Sequence, residues 1–312
     1  MGRIESALVL LPIPPPAHYD WSGSPRLSAL QLNSLSSMIH SLSVAARSRL
    51  IITLVLGGVL PSEAMGQGNI EAWGRDDHGQ VSGTPNGTTF VRVAAGGQHC
   101  LAILTDMSVV GWGWNQWGQA SGGASGAVDI AAGERHSLAL LLDGSIQSWG
   151  SDANGAVSNT PTGTSFVQIE AGLHYSIALK ADGTISAWGW DTAGQIVNAP
   201  TGGGFVQVDG GYNHSIALRG DGSVVSWGDD FYGQVTNTPQ GMGFVEVAAG
   251  GYHNLALRSD GSIAAWGDDQ YGNVSNAPSG VGFTQVTGGG QHSLALQADG
   301  SVVAWGWGSY GQ

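Results

Sequence analysis

The chain has 312 residues, of which 52 are glycine, and its hydrophobic content of 42% is too high for a disordered glycine-rich tail. Only 11% of the residues are charged, and the formal net charge of −13 leaves few basic side chains that could bind a nucleic-acid backbone. Cys100 is the only cysteine, which excludes an internal disulfide. These features favour a turn-rich all-β protein that does not bind nucleic acid.

Residues 1–64 lack the pattern that fills the rest of the chain. Arg47 and Arg49 precede an apolar run at 50–60, and small residues follow up to Ala64. This order is typical of a secretory signal peptide. The run is eleven residues long, whereas a helix that spans a bilayer needs about 20. The alternative is a buried helix over 40–60.

The domain boundaries follow from this interpretation. A signal peptide that starts at Met38 has an ordinary length, whereas one that starts at Met1 is too long. We therefore predict an upstream translation artefact or disordered extension over 1–37, a signal peptide over 38–64 and a mature domain over 65–312. The mature domain would be secreted, periplasmic or at the cell surface, would not insert into a membrane, and would be a monomer.

A Trp-Gly pair recurs through the mature domain at intervals of 39, 37, 39, 39, 39 and 39 residues. A stretch of the form "HSIALRGDGSVVSWG" ends at each of the later pairs. A fixed period of this size indicates a repeat architecture. The tryptophans are Trp73, Trp112, Trp149, Trp188, Trp227, Trp266 and Trp305, and the first position of the shared stretch, here called the marker position, holds His99, His136, Tyr175, His214, His253 and His292.

Each repeat contains three strand-like runs, for example "GFVEVAA", "HNLALR" and "GSIAAWG". An Asp-Gly pair such as 260–261 stands where a hairpin turn needs positive φ, and Met107 replaces the glycine in one repeat. Bulky and small side chains alternate in the middle run and none is charged, so we expect that strand to be buried on both faces. Radially stacked small sheets bury strands in this way. The repeat therefore predicts a β-propeller of three-stranded antiparallel blades, with each Trp as an anchor between blades.

The number of blades depends on the two ends of the repeat region. There are seven Trp strands but only six strands that carry a marker residue, because the run "NIEAWG" has no marker strand before it. We predict the seven-bladed type, in which "NIEAWG" is the third strand of an incomplete seventh blade. The alternative is six blades that close by themselves.

The repeat resembles that of the regulator of chromosome condensation family, whose members form seven-bladed propellers. Stretches such as "VAAGGYHNLALRSDGSIAAWGDDQYGN" are still more similar to the propeller-type β-lactamase inhibitor proteins. The resemblance covers 68–312 and implies the fold. In those inhibitors, aromatic residues of two loop sets contact the enzyme. Guanine nucleotide exchange is the activity of the eukaryotic family, but its GTPase partner is intracellular, and a signal peptide argues against it.

The recurring histidines suggest a metal or catalytic site, but they lie on separate blades and cannot share one small ion. Tyr175 occupies one of these places and is a poor replacement for an imidazole ligand. We therefore expect structural residues that hydrogen-bond a loop backbone. Loops such as "WGDDFYG" offer two carboxylates each, whereas calcium takes six or more oxygen ligands. We predict no catalytic residue, metal or cofactor, with calcium in the acidic loops as the alternative.

Aromatic residues outside the strands are the candidate binding residues. The hairpin through Asp-Gly places the loop before the marker residue beside the loop after Trp-Gly, so both loop sets should share one face of the disc. We expect the opposite, Asp-Gly face to be small and polar. Exposed aromatic side chains in a ring suit protein or carbohydrate binding. The candidates are Trp114, Trp117, Trp190, Tyr212, Phe231, Tyr232, Tyr252, Tyr271, Trp307 and Tyr310.

The predicted function is a protein-binding module that is exported, acidic and not an enzyme. The acidic balance favours a partner with basic residues. One alternative is a carbohydrate-active enzyme or carbohydrate-binding propeller. The other is a regulator that resembles the nucleotide exchange proteins.

Overall fold

A computed structural model of the chain describes residues 6–12, 68–87, 90–309 and 311. The predicted signal peptide over 38–64 and most of the predicted extension over 1–37 lie outside these residues. No helix within them has the length and apolarity that a membrane crossing requires.

The described strands form six complete three-stranded antiparallel blades preceded by two further strands, which confirms the all-β propeller. The preceding strands are β1 (Ser6–Pro12) and β2 (Gly68–Gly74). The blades are β3–β5 (Phe90–Ala95, His99–Leu104, Val109–Gly113), β6–β8 (Ala127–Ala132, His136–Leu141, Ile146–Gly150), β9–β11 (Phe166–Ala171, Tyr175–Lys180, Ile185–Gly189), β12–β14 (Phe205–Gly210, His214–Arg219, Val224–Gly228), β15–β17 (Phe244–Ala249, His253–Arg258, Ile263–Gly267) and β18–β20 (Phe283–Gly288, His292–Gln297, Val302–Gly306).

The Asp-Gly pairs form the hairpin turns between the middle and outer strands, as predicted. In the fifth blade Gly261 has φ +81° and the Asp260 carboxylate accepts the N–H of Ser262 at 2.9 Å. Met107 takes the same left-handed conformation, with φ 64°, although it carries a side chain.

The middle strands of the first five blades are buried on both faces because the bulky side of each meets the next blade. Ile216 and Leu218 of the fourth blade pack with Phe244 and Trp266 of the fifth. The small Ala217 instead packs against the third blade, in the cluster that contains Trp227. Bulky and small residues therefore alternate across every blade boundary, as the sequence predicted.

The Trp-Gly tryptophans anchor one blade to the loop of the preceding blade. Trp227 is buried in the cluster between the third and fourth blades, and its indole N–H donates to the carbonyl of Gln195 at 2.9 Å. The equivalent bond runs from Trp266 to Gln234 at 3.0 Å. The prediction that these tryptophans form core between blades is confirmed for Trp112, Trp188, Trp227, Trp266 and Trp305, which are buried. Trp149 is half-buried and packs against the cluster between the first two blades, whereas Trp73 is half-buried and belongs to none of the core clusters among the described residues.

The marker residues are structural, but their hydrogen-bond partner differs from the one we expected. His99 Nε2 lies 2.8 Å from Ser137 Oγ of the next blade, rather than against a loop backbone. The Ser137 hydroxyl donates to the Gln119 carbonyl at 2.9 Å, so His99 must donate to Ser137. Tyr175 makes the same kind of link, because its hydroxyl lies 2.9 Å from Ser215 Oγ. Equal register of neighbouring middle strands, which a single repeat does not reveal, brings these groups together.

The strands β1 and β2 lie where a further blade would precede the first one. β1 pairs antiparallel with β2, with Ser6 opposite Gly74, just as His214 lies opposite Gly228 in a complete blade. Ile70 of β2 packs into the cluster of the first blade. No comparable packing joins the sixth blade to the first among the described strands. This part of the chain therefore has six complete blades and two strands of another.

Candidate binding face

The two loop sets that carry the candidate residues are joined by backbone hydrogen bonds. The residue after each Trp-Gly pair donates its N–H to the carbonyl of the residue before the marker position. Trp114 donates in this way to Gln98 at 2.7 Å, and Asp268 donates to Tyr252 at 2.9 Å. The prediction that both loop sets share one face, here called the loop face, is therefore confirmed.

Acidic residues hold the loops of this face in shape. The Asp269 carboxylate accepts the N–H groups of Val274 and Ser275 at 2.9 and 2.8 Å. These backbone hydrogen bonds lower the pKa of Asp269, the one from Ser275 most. The Asp152 carboxylate binds two N–H groups in the same manner. No group of three or more His, Cys, Asp or Glu side chains placed to hold a metal ion occurs among the residues that the structure describes.

A first cluster lies over the boundary between the first and second blades. The Arg135 guanidinium carbon is 5.7 Å from the ring centre of Trp114 and 5.9 Å from that of Trp117. Trp117 remains 45% exposed. The tilted ring of His78 lies 5.8 Å from Trp114. The cluster is thus an aromatic pair that already holds a cation of the same chain.

The cluster continues onto the third blade through Glu134. This buried carboxylate lies 3.1 Å from His174 Nε2 and 3.6 Å from Arg135 Nε. The His174 ring stacks on Trp190, with the ring centres 5.0 Å apart. Burial lowers the pKa of His174, the nearby Glu134 raises it and Arg135 lowers it further.

A second cluster joins the fourth and fifth blades. The ring centres of Tyr212 and Tyr252 are 4.9 Å apart with the rings nearly perpendicular, and those of Tyr232 and Tyr252 are 5.4 Å apart. Phe231 lies 4.9 Å from Tyr232 and is 81% exposed. Of these rings Tyr212 is buried, so it supports the others rather than offering a surface.

The remaining candidates lie at the boundary between the fifth and sixth blades. Tyr271 and Trp307 are in contact, with ring centres 5.7 Å apart. Tyr310 lies outside the described residues. The structure thus groups the other nine candidate residues into three clusters on one face.

Sequence reasoning missed Glu134, Arg135 and His174, because we chose the candidates by aromatic character alone. All three stand in the loops before the marker position, where Tyr212 and Tyr252 were correctly chosen. Position in the repeat was the signal that would have found them.

The opposite face is less polar than we expected. Leu142, Met242 and Val281 are exposed by 63%, 71% and 66%, and Leu142 directly precedes an Asp-Gly turn. The loop of Met242 lies beside another such turn, since Gly243 is close to Gly222. These aliphatic residues come from separate repeats, whereas the aromatic residues of the loop face form clusters.

Comparison with known proteins agrees with this architecture. The model of the Regulator of chromosome condensation (RCC1) repeat matches residues 90–119, 127–156, 166–195, 205–234, 244–273 and 283–312, which together exceed half of the chain. A comparison with curated protein sequences gives no significant match.

Several solved structures share the fold. The ectodomain of the Physcomitrella patens receptor kinase CR4 is 23% identical with a TM-score of 0.66, and the match covers 79% of this chain and 68% of that one. The ectodomain of the Arabidopsis thaliana receptor kinase ACR4 gives 20% identity and a TM-score of 0.62, over 77% of this chain and 89% of that one.

A third structure is Prp20p of Saccharomyces cerevisiae, which is described together with its binding to Gsp1p and histones. It is 20% identical with a TM-score of 0.64, over 76% of this chain and 80% of that one. At these identities the likeness concerns the fold alone. The six matched repeats and the six blades that they form show that this chain belongs to the regulator of chromosome condensation repeat family.

Proposed function

We propose that the protein is a binding module that captures a protein partner through the loop face. The observation that carries this proposal is the clustering of aromatic side chains there, with Trp117, Phe231 and Tyr232 exposed to solvent. Tyrosine and tryptophan dominate the energetically important positions of protein interfaces. The solved relative Prp20p is described as binding proteins, which agrees with a binding role.

A binding role also accounts for the titratable groups better than catalysis does. The marker histidines are buried, and burial lowers the pKa of His253 to about 3 and of His214 to about 4. Such rings are neutral, and they are engaged in links between blades. They are thus unsuited to proton transfer with a substrate at neutral pH.

The acidic balance of the chain favours a partner with basic residues, and association should weaken as salt rises. We also propose that the protein is exported and cleaved near Ala64, on the sequence pattern described above. Such cleavage would remove β1, and N-terminal sequencing of the secreted product would show it. A secreted product that starts at Met1 would contradict export by this route.

The test of the binding face uses peptides selected from a random displayed library on the folded protein. Trp190→Ala, Tyr232→Ala and Tyr271→Ala should each weaken binding of the recovered peptides by about 2 kcal/mol or more while folding is kept. A class A β-lactamase is the first intact protein to titrate, because of the resemblance to its inhibitors.

Asp260→Ser on the Asp-Gly face is the matched control and should leave these affinities unchanged. If peptides or the enzyme bind with full affinity to the three loop-face variants but not to Asp260→Ser, the proposed face is wrong.

A further inference from the structure

Every basic side chain of the propeller already has a partner within the chain. Residues 68–312 contain six lysine and arginine residues, and their partners are carboxylates or aromatic rings. Arg75 pairs with Asp77, Arg92 with Asp129, Arg135 with Glu134 and two tryptophans, and Lys180, Arg219 and Arg258 lie over Phe166, Phe205 and Phe244. A cation for any further acidic or aromatic site must therefore come from outside this part of the chain.

One such site lies between the fourth and fifth blades, where Asp229 and Asp268 flank the second aromatic cluster. Each follows a Trp-Gly pair and accepts a local backbone N–H, from Phe231 at 3.2 Å and from Gln270 at 3.0 Å. Asp268 is only 5% exposed, and neither carboxylate forms an ion pair with a described residue. We call the set of Tyr212, Asp229, Phe231, Tyr232, Tyr252 and Asp268 the tyrosine pocket.

The two carboxylates act on the same rings. Burial raises the pKa of the Tyr252 phenol, and the neighbouring Tyr232, Asp229 and Asp268 raise it further. The Tyr252 ring thus lies in a negative field, with the exposed faces of Phe231 and Tyr232 beside it. Aromatic faces next to carboxylates attract a cation.

The first cluster shows how this architecture accommodates a cation. There the residue before the marker position is Arg135, and its guanidinium lies over the loop aromatics of the preceding blade, Trp114 and Trp117. At the equivalent position of the fifth blade stands Tyr252, beside the loop aromatics Phe231 and Tyr232. Residues 68–312 therefore supply a cation to the site beside Trp114 and Trp117, and they supply none to the equivalent site beside Phe231 and Tyr232.

We propose that the tyrosine pocket binds the cationic side chain of an arginine or lysine in a protein partner. This inference rests on the proposed function, and it names the chemistry by which one part of the loop face would recognise its partner. The carboxylates would pair with the charge while the tyrosine and phenylalanine faces cover the side chain.

The experiment is an NMR titration of the protein, labelled on its tyrosine rings, with a short Gly-Ser peptide that carries one central arginine. The same peptide with citrulline removes the charge and keeps the shape. We expect the arginine peptide to shift the resonances of Tyr232 and Tyr252, and the citrulline peptide to bind more weakly by on the order of tenfold. Equal binding of the two peptides would overturn the inference.

Protein variants give a second, independent test. The double variant Asp229→Asn, Asp268→Asn keeps a side-chain oxygen that accepts each local N–H but removes both charges. It should bind the arginine peptide more weakly than the wild type by on the order of tenfold. Asp260→Asn on the Asp-Gly face changes charge equally per site and should have no effect. If the double variant binds as tightly as the wild type, the pocket is not the site.

The outcome can be separated from that of the proposed function. The selected peptides could lose affinity for Trp190→Ala while the arginine peptide binds the Asp229→Asn, Asp268→Asn variant as tightly as the wild type. That result would support the loop face as the binding face and refute the tyrosine pocket. Conversely, the arginine peptide could bind at the pocket while the selected peptides bind all loop-face variants with unchanged affinity. That result would refute only the proposal that the loop face binds the selected partner.

Discussion

A glycine stands three residues before every marker position because the marker ring lies against its α-carbon. A Cβ at Gly250 would be 2.1 Å from the His253 ring, and one at Gly211 would be 2.3 Å from the His214 ring. Neither glycine has positive φ, so close approach rather than backbone conformation requires them. The "AGxxH" pattern of the sequence is therefore a packing constraint.

Met107 is the residue whose conformation fits its type least well. It has φ 64° at a turn where the other blades have glycine. A left-handed conformation costs a side-chain-bearing residue about 1–2 kcal/mol, partly offset by the lower entropy of its unfolded chain. We expect Met107→Gly to raise the free energy of unfolding by about 0.5–1 kcal/mol, measured by urea denaturation.

The reverse change provides the control for that measurement. Gly222→Ala introduces a Cβ 2.8 Å from the backbone nitrogen of Gly243 at a φ of +82°, and it should be destabilising. A Met107→Gly variant that is less stable than the wild type would show that the Met107 side chain contributes more than the turn costs.

At the scale of the elements, the middle strands are linked by buried neutral imidazoles. His253 Nε2 lies 2.7 Å from Ser293 Oγ of the next blade, and burial lowers the pKa of His253 to about 3. Because the unfolded chain has the ordinary histidine pKa, it takes up protons first as the pH falls. Stability is therefore complete above about pH 6.5 and declines from there towards the folded pKa, by up to about 1.4 kcal/mol per pH unit for each such histidine.

His253→Gln should lower the free energy of unfolding at neutral pH. It should also reduce the pH dependence of that free energy by the contribution of one histidine, up to about 1.4 kcal/mol per pH unit. Urea denaturation at several pH values between the two pKa values measures both effects. Tyr175→Phe is the control, because Tyr175 holds a marker position but does not titrate in this range, and its slope should match the wild type. A His253→Gln variant with the wild-type slope would show that His253 does not carry the pH dependence.

At the scale of the molecule, the sixth blade lacks the contacts that each of the other five blades makes with the blade that follows it in the chain. Gln207 of the fourth blade donates to the Val247 carbonyl and accepts the Val247 N–H, both at 3.0 Å. Gln285, its equivalent in the sixth blade, is exposed. The His292 ring likewise forms no hydrogen bond to a next blade among the described residues, and Val302 is 39% exposed.

We therefore predict that a consensus stretch of the form "FVEVAAGGYHNLALRSDG" fused after Gln312 stabilises the protein. Its first strand would give Gln285 the backbone partner that Gln207 has in the fourth blade. Its second strand would give His292 a side-chain partner like that of His214 and would pair with β2 in place of β1. The expected gain is about 1–3 kcal/mol, at the usual stability per residue, and a thermal or urea melt measures it. A scrambled stretch of the same composition is the control, and equal melts for the two fusions would favour six blades that suffice alone.

The sequence by itself determined the repeat, the three strands of each blade, the Asp-Gly turns and the shared face of the two loop sets. These features follow from local periodicity and from hairpin geometry, which act within one repeat of about 40 residues. Only the tertiary structure decided what crosses between repeats. The partner of His99, the position of Arg135 over Trp114 and the grouping of Tyr232 with Tyr252 all join residues of different blades. Such contacts depend on the relative placement of neighbouring blades, which no single repeat encodes.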